Sequence, residues 1–323
     1  MEAKAAAEDI ITELIDTCLT TIQASSLVLD FSSAFKKKKK VKRLPKDSQE
    51  KLQDKPEPLD NIETLDIELA EVIEIPDKLI NSPEEMQDRK YLDLRRWYCM
   101  SRPQYAKSCG ITSLVSCWNY LYSILGWGKL PVLSQEKALI TLGIEPPFHN
   151  IKFGPFTGNN TLINWFLSLN LSFSIKGRAR IFWKLHGKNR TEGKNKDEAL
   201  RELVEGLKSN KKAYIYHCFN HYMCPIGFEL APLVPCDAYK PLKDIKESEL
   251  QAFIIVGEAS KAYPIFHVRK WDDIALDIDQ QNPNYYNIRK PEMGVQVRTS
   301  EAFVSGNKLG KNLHCIIEFE SLE

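Results

Sequence analysis

No stretch of this 323-residue chain stays apolar for the ~18 residues that a membrane-crossing helix needs, and no internal repeat is visible. The start, Met1-Glu2-Ala3-Lys4 with Glu8, Asp9 and Glu13 close behind, lacks the basic flank and apolar core of a secretory signal. Excess charge is missing too: 44 Lys and Arg against 43 Asp and Glu leave +1, which argues against a polycation built for nucleic acid. The eight cysteines include no Cys-x-x-Cys hook of the zinc-ribbon kind. Placed mostly on apparent strands and helices, they read as reduced thiols in a cytosolic setting, with no structural disulfides expected. What is present is 43% apolar and 10% aromatic residues, enough for one large domain with a tail.

The tail divides by charge. Residues 1–35, net −5, carry Ala7, Ile10, Ile11, Leu14, Ile15, Cys18, Leu19 and Ile22 at helical spacing and predict an amphipathic helix. Residues 36–90 read as a basic and then acidic extended arm. Eight of the eleven residues from Lys36 to Lys46 are basic, a block that stays extended until it meets an acidic surface; a solvated linker, a nuclear-import signal or RNA are the other readings. From Asp47 to Lys90 fourteen acidic residues face five basic ones, and Pro56, Pro58, Pro76 and Pro83 break the segment. Leu59, Ile62, Leu65, Ile67, Leu69, Val72, Ile73 and Ile75 make it too apolar for a pure linker. Protein partners through residues 1–90 are therefore expected. Nucleic acid ranks lower, because no stacking aromatics interleave the basic block; no membrane and no cofactor are implied.

Residues 91–323, net +7, form the expected domain. A Ser134-capped helix ends at Gly143, and an aromatic-bearing helix covers about 160–169. Leu171–Ile175 and Ala179–Leu185 read as strands, and Asp197 as the cap of a helix reaching Lys208. Further strands are expected at 213–218, 221–229, 252–258, 265–268, 294–299 and 313–319. Helices first and strands afterwards predict an α+β fold with a mainly antiparallel sheet.

Gln104-Tyr105-Ala106-Lys107-Ser108-Cys109-Gly110-Ile111 begins as a loop and turns into a helix, with Ile111, Leu114, Val115, Trp118, Leu121, Tyr122 and Leu125 as its buried stripe. Cys109 then occupies the first turn, where free N–H groups and the helix dipole favour a thiolate. Gln104 could turn a side-chain amide toward a developing oxyanion. The bland reading of Cys109 is a small buried hydrophobe.

A nucleophilic Cys needs a base, normally His steered by a carboxylate or amide. Ala213–Glu229 reads as two strands joined by a turn at Phe219-Asn220, which puts His221 at the start of the second strand. The next strand ends in Glu258, a candidate to orient His221. A rival reading makes His217, Cys218, His221 and Cys224 zinc ligands. On an extended strand, however, His217 and His221 stand ~13 Å apart at ~3.3 Å per residue, too far for one metal without a strong bend.

Ser108–Asn119, Ile151–Asn159, Ala213–Cys218 with Asn220-His221-Tyr222, Cys224–Glu229, Trp271–Ile274 and Asn312–Ile317 resemble the basic immunoglobulin-like variable motif-containing protein family over residues 95–320. The resemblance implies an intracellular protein of cytoplasm and nucleus and brings no activity. The family's name implies an immunoglobulin fold, against which the helical spacing from Cys109 to Trp118 and a reducing compartment both argue. More distantly, Gln ahead of Cys-Gly at a helix start and a later His-Tyr strand resemble papain-like cysteine peptidases of the bacteriocin-leader-processing kind. The sequence departs from them by one residue in the Gln-to-Cys spacing, and in Glu258 where Asp or Asn is usual. That resemblance implies a papain-like domain in which Cys109, His221, Glu258 and Gln104 act on peptide, isopeptide or amide bonds. The alternative expectation is a non-catalytic subunit of a cytoskeletal or ciliary assembly, docked through its tail.

Overall fold

The computed structural model describes residues 82–323 apart from 102, 106, 147, 149–157 and 261–265. The expected helix of residues 1–35 and the arm up to residue 81 lie outside the described residues, as does most of Ile151–Asn159. In chain order come α1 (Pro83–Arg89), β1 (Lys90–Leu92), α2 (Leu94–Tyr98), α3 (Cys109–Tyr122), α4 (Gln135–Thr141) and α5 (Asn159–Ser172). They are followed by β2 (Gly177–Trp183), α6 (Lys196–Lys208), β3 (Lys212–Cys218), β4 (His221–Pro232), β5 (Leu250–Gly257) and β6 (Phe266–Lys270). Last are α7 (Trp271–Asp279), β7 (Asn284–Tyr286), β8 (Val295–Val297), α8 (Glu301–Val304) and β9 (Cys315–Ser321).

Alternation along the strands dictates the layers. In β3, Ala213 and Ile215 join one core while Tyr214, Tyr216 and Cys218 join the other; in β9, Cys315, Ile317 and Phe319 oppose Ile316 in the same way. A sheet apolar on both faces must be covered on both. Leu114, Trp118, Phe166 and Leu169 of α3 and α5 cover the first face, and Leu203, Leu207, Trp271 and Ile274 of α6 and α7 the second. The sheet is antiparallel in every pairing, in the order β2-β9-β3-β4-β5-β6, with β1 added to β4; β7 and β8 form a separate hairpin. This is an α+β architecture and not an immunoglobulin sandwich. The seven cysteines among the described residues are free.

Several local expectations are corrected. The helix from Cys109 has no exposed side: all fourteen of its residues are buried, because the sheet lies on one flank and α2, α4 and α5 lie around the rest. Leu125 is not part of its stripe but lies beyond the helix, 36% exposed. Leu171–Ile175 is not a strand; α5 runs through Ser172, and Ser174 turns the chain with φ +54°. The cap of α6 is Asn195 rather than Asp197. Its side chain accepts from the N–H groups of Asp197 and Glu198, and Glu198 returns a bond to the Asn195 N–H. Pro83 does not break an extended arm; it occupies the first turn of α1, where its missing N–H costs nothing, with Ser82 as cap.

Arg96 ties this frame together. It is 4% exposed, and its guanidinium donates to the carbonyls of Lys212 (2.8 Å), Leu207 (3.0 Å) and Ser209 (2.8 Å). The Leu207 and Ser209 carbonyls lie at the C-terminal end of α6, which leaves acceptors unpaired and carries the negative end of the dipole, and Lys212 opens β3.

Candidate active site

Cys109 is the first residue of α3, and the helix start is left without its usual side-chain cap. Ser108, in the capping position, is engaged elsewhere: its hydroxyl donates to the Tyr105 carbonyl at 3.1 Å and lies 3.1 Å from Thr112 Oγ1. Thr112 donates to Gln135 Oε1 at 2.8 Å, and Gln135 Nε2 donates to Ser101 Oγ (3.0 Å) and the Pro103 carbonyl (2.8 Å). This network fastens the incoming loop to α4. The first backbone N–H groups of α3 therefore remain available to negative charge at or beside the Cys109 sulfur.

His221 reaches this point from the other side. The β3–β4 hairpin closes on the pair Cys218 and His221, and its two-residue turn, Phe219-Asn220, has Asn220 at φ +52°, a conformation that Asn tolerates better than most residues. His221 lies close enough to the Cys109 thiol for its protonated form to be favoured. Its Nε2 lies 2.9 Å from Glu258 Oε1, out of line with the ring N–H, so the contact is ionic more than a straight hydrogen bond. With Nε2 on the carboxylate, Nδ1 is the nitrogen left for the thiol. Glu258 follows β5 directly, and the antiparallel register of β4 and β5, through Cys224 and Gly257, carries it beside His221.

Glu258 is 1% exposed yet well supplied with positive partners. Arg289 Nη2 lies 3.1 Å from Oε1, and His267 Nε2 3.7 Å from Oε2. Burial alone would raise its carboxyl pKa; the hydrogen bond and charge of His221, then Arg289 and His267, hold it below the ordinary value. For His221 burial works against the imidazolium, but the interactions with Cys109 and Glu258 prevail and raise its pKa. Cys109 and His221 are each only 4% exposed, so these charges act with little screening by water.

Three of the four sequence-predicted residues are thus in one contact chain. Gln104 is half-buried in the loop ahead of α3 and makes none of the bonds that join the other three. The metal alternative is not assembled, because the hairpin spreads its members over both faces. His217 stacks on Tyr222 at 4.3 Å, Cys218 sits in the second-face core, and Cys224 Sγ approaches the Ser113 carbonyl at 3.7 Å. Among the described residues no group of three His, Cys, Asp or Glu side chains is placed to hold a metal.

Sequence reasoning missed Arg289 and His267, which have no local signature. It also missed a second histidine–carboxylate pair: His314 Nδ1 lies 2.7 Å from Asp277 Oδ1, while Tyr216 donates to Oδ2. Asn312 anchors this pair, donating to the carbonyls of Asp277 and Ile278 and accepting from the His314 N–H. Buried and internally satisfied, it fastens the segment ahead of β9 to α7.

Residues 85–323 match the family described as basic immunoglobulin-like variable motif-containing protein. Proteins of that name from Xenopus tropicalis and Homo sapiens are each 50% identical over 239 residues, covering 74% of this chain and 46% of theirs. A protein of the same name from Giardia intestinalis is 27% identical over 277 residues, covering 73% of this chain and 99% of its own length. The chain spans about half the length of the vertebrate relatives it matches. With a family match over most of its length, the chain belongs to the basic immunoglobulin-like variable motif-containing protein family.

Proposed function

We propose that this protein is a papain-like cysteine hydrolase or acyltransferase acting on peptide, isopeptide or amide bonds. The observation that carries the reading is the contact chain from Cys109 through His221 to Glu258, with the sulfur at an uncapped helix start. His221 takes the thiol proton and leaves a thiolate that the imidazolium and the helix dipole stabilise. The thiolate attacks the acyl carbon, and the Cys109 N–H receives the oxyanion, joined by the Gln104 amide if that side chain swings in. His221 returns its proton to the departing amine, leaving a thioester. Water or an acceptor amine, deprotonated by His221, then resolves the thioester and frees the thiol. Glu258 keeps the ring oriented and its charge balanced throughout. The test is labelling by an electrophilic acyl probe, read at the Cys109 peptide by mass spectrometry. Labelling should vanish in Cys109→Ser and fall sharply in His221→Asn; labelling of the folded wild type no faster at Cys109 than at half-buried Cys236 would refute the reading.

A second reading, a docking subunit of a cytoskeletal or ciliary assembly, is favoured by the charge blocks of residues 36–90. It proposes that the tail meets protein partners, the Lys36–Lys46 block meeting an acidic surface, in cytoplasm or nucleus. A chain starting at Ser82, which keeps α1, should lose its cellular location; an unchanged location would count against this role.

A further inference from the structure

Between α7 and β9 the chain makes an excursion that contributes no strand to the main sheet, yet it reaches the Glu258 carboxylate. Tyr286 and Ile288 are buried in the second-face core, and the Tyr286 hydroxyl donates to Asp273 at 3.1 Å. Asn287 Oδ1 accepts from the Arg289 N–H at 3.1 Å, a turn that aims the next side chain inward. Arg289 Nη2 then lies 3.1 Å from Glu258 Oε1, the same oxygen that stands 2.9 Å from His221 Nε2. The excursion also grips the tip of the hairpin that carries His221. Phe219 stacks on Tyr285 at 4.8 Å, and the Arg298 guanidinium packs over both rings, 5.4 Å and 4.6 Å from their centroids.

We infer that Arg289 is a positioning residue of the Cys109 centre, acting through Glu258 to hold the carboxylate ionised and turned toward His221. The inference rests on the proposed cysteine chemistry. A guanidinium suits the task because its planar donors fix a carboxylate's orientation as well as its charge. Without it, Glu258 Oε1 loses the planar donor that fixes its orientation, and the carboxylate can turn away from Nε2.

The experiment is the rate of Cys109 alkylation by iodoacetamide in the full chain, followed by mass spectrometry from pH 5 to 9. Arg289→Gln should react about tenfold more slowly at pH 6, the equivalent of one pKa unit, with a smaller deficit at pH 8, and Arg289→Lys should recover most of the rate. Arg289→Gln leaves a buried carboxylate short of a partner, which itself threatens folding. The double variant Glu258→Gln with Arg289→Gln removes that charge, and its profile should coincide with that of Glu258→Gln alone. A wild-type profile for folded Arg289→Gln, or a double variant several-fold slower than Glu258→Gln, would overturn the inference while leaving the cysteine reading in place. If His221→Asn reacts as fast as wild type, the cysteine reading fails and this inference falls with it.

Discussion

Glu258 Oε1 stands 2.9 Å from His221 Nε2 because β4 and β5 run antiparallel through the pair Cys224 and Gly257. Continued one step, that register sets Glu258 opposite Met223, diagonal to His221 on the same face. Replacing Glu258 by Gln keeps the size and removes the charge that supports the imidazolium. Alkylation of Cys109 should fall about tenfold at pH 6, a loss comparable to one pKa unit. The comparison is the pH profile of the Cys109 peptide in the two proteins. Equal profiles would mean that Glu258 serves packing alone.

The same pair gives stability a defined pH window. The folded pKa of His221 is raised, since the interactions with Cys109 and Glu258 outweigh burial. Its contribution is fully present below its unfolded value, ~6.5, and is lost as pH climbs through the folded value. Glu258 has a lowered folded pKa despite its burial. Its contribution is present above ~4.3 and is lost as pH falls through the folded value. Both are in full effect between roughly pH 4.3 and 6.5. Thermal midpoints of wild type and His221→Gln should therefore differ most within that window and converge as pH rises through the folded value of His221. A gap independent of pH would show that the charged ring is not the species the fold holds.

Reading the chain locally reaches the centre where local rules govern. Ser134 caps α4 and accepts from the Lys137 N–H, the turn falls on Phe219-Asn220, and strand ends deliver His221 and Glu258. The same rules fail where a distant partner decides. Leu169 and Leu171 sit in a short apolar run that suits strand or helix equally, and packing of Leu162, Phe166 and Leu169 against α3 and the sheet makes it helix. Arg289 has no signal of its own, since its role exists only once the excursion brings it to Glu258. The uncapped start of α3 is also invisible in sequence: Ser108 has the right identity for a cap but is drawn to Tyr105 and Thr112.

Arg96 should be among the costliest single residues to remove. Its donors serve the carbonyls of Lys212, Leu207 and Ser209, and its guanidinium lies 4.1 Å from the centroid of the Tyr120 ring. Arg96→Met keeps most of the apolar stem but strands the buried Leu207 carbonyl and the part-buried carbonyls of Ser209 and Lys212. A loss of about 3 kcal/mol is expected from unmade charge-assisted bonds, measured by urea unfolding. Arg96→Lys should lie between, because one ammonium cannot span the set that the planar fork reaches. A loss below about 0.5 kcal/mol for Arg96→Met, the size of an ordinary surface substitution, would mean that water takes over the carbonyls at no cost.

Gly206 reverses the usual rule for helix glycines. In the middle of a helix, Gly→Ala normally stabilises by about 1 kcal/mol, and Gly206 lies inside α6. Here an added Cβ would overlap the Tyr214 hydroxyl, which is buried and donates to Glu318 Oε2 at 3.1 Å. The ring cannot retreat freely, since it packs edge-on against Phe182 at 5.4 Å. Gly206→Ala should therefore destabilise, by roughly 1–3 kcal/mol as for other overpacked sites. Adding Tyr214→Phe removes the obstructing oxygen and should restore part of the loss, although it leaves Glu318 with one donor fewer. A double-mutant cycle read by urea unfolding decides the matter: a coupling term near zero would show that α6 shifts as a body and that the close approach of Gly206 to Tyr214 constrains nothing.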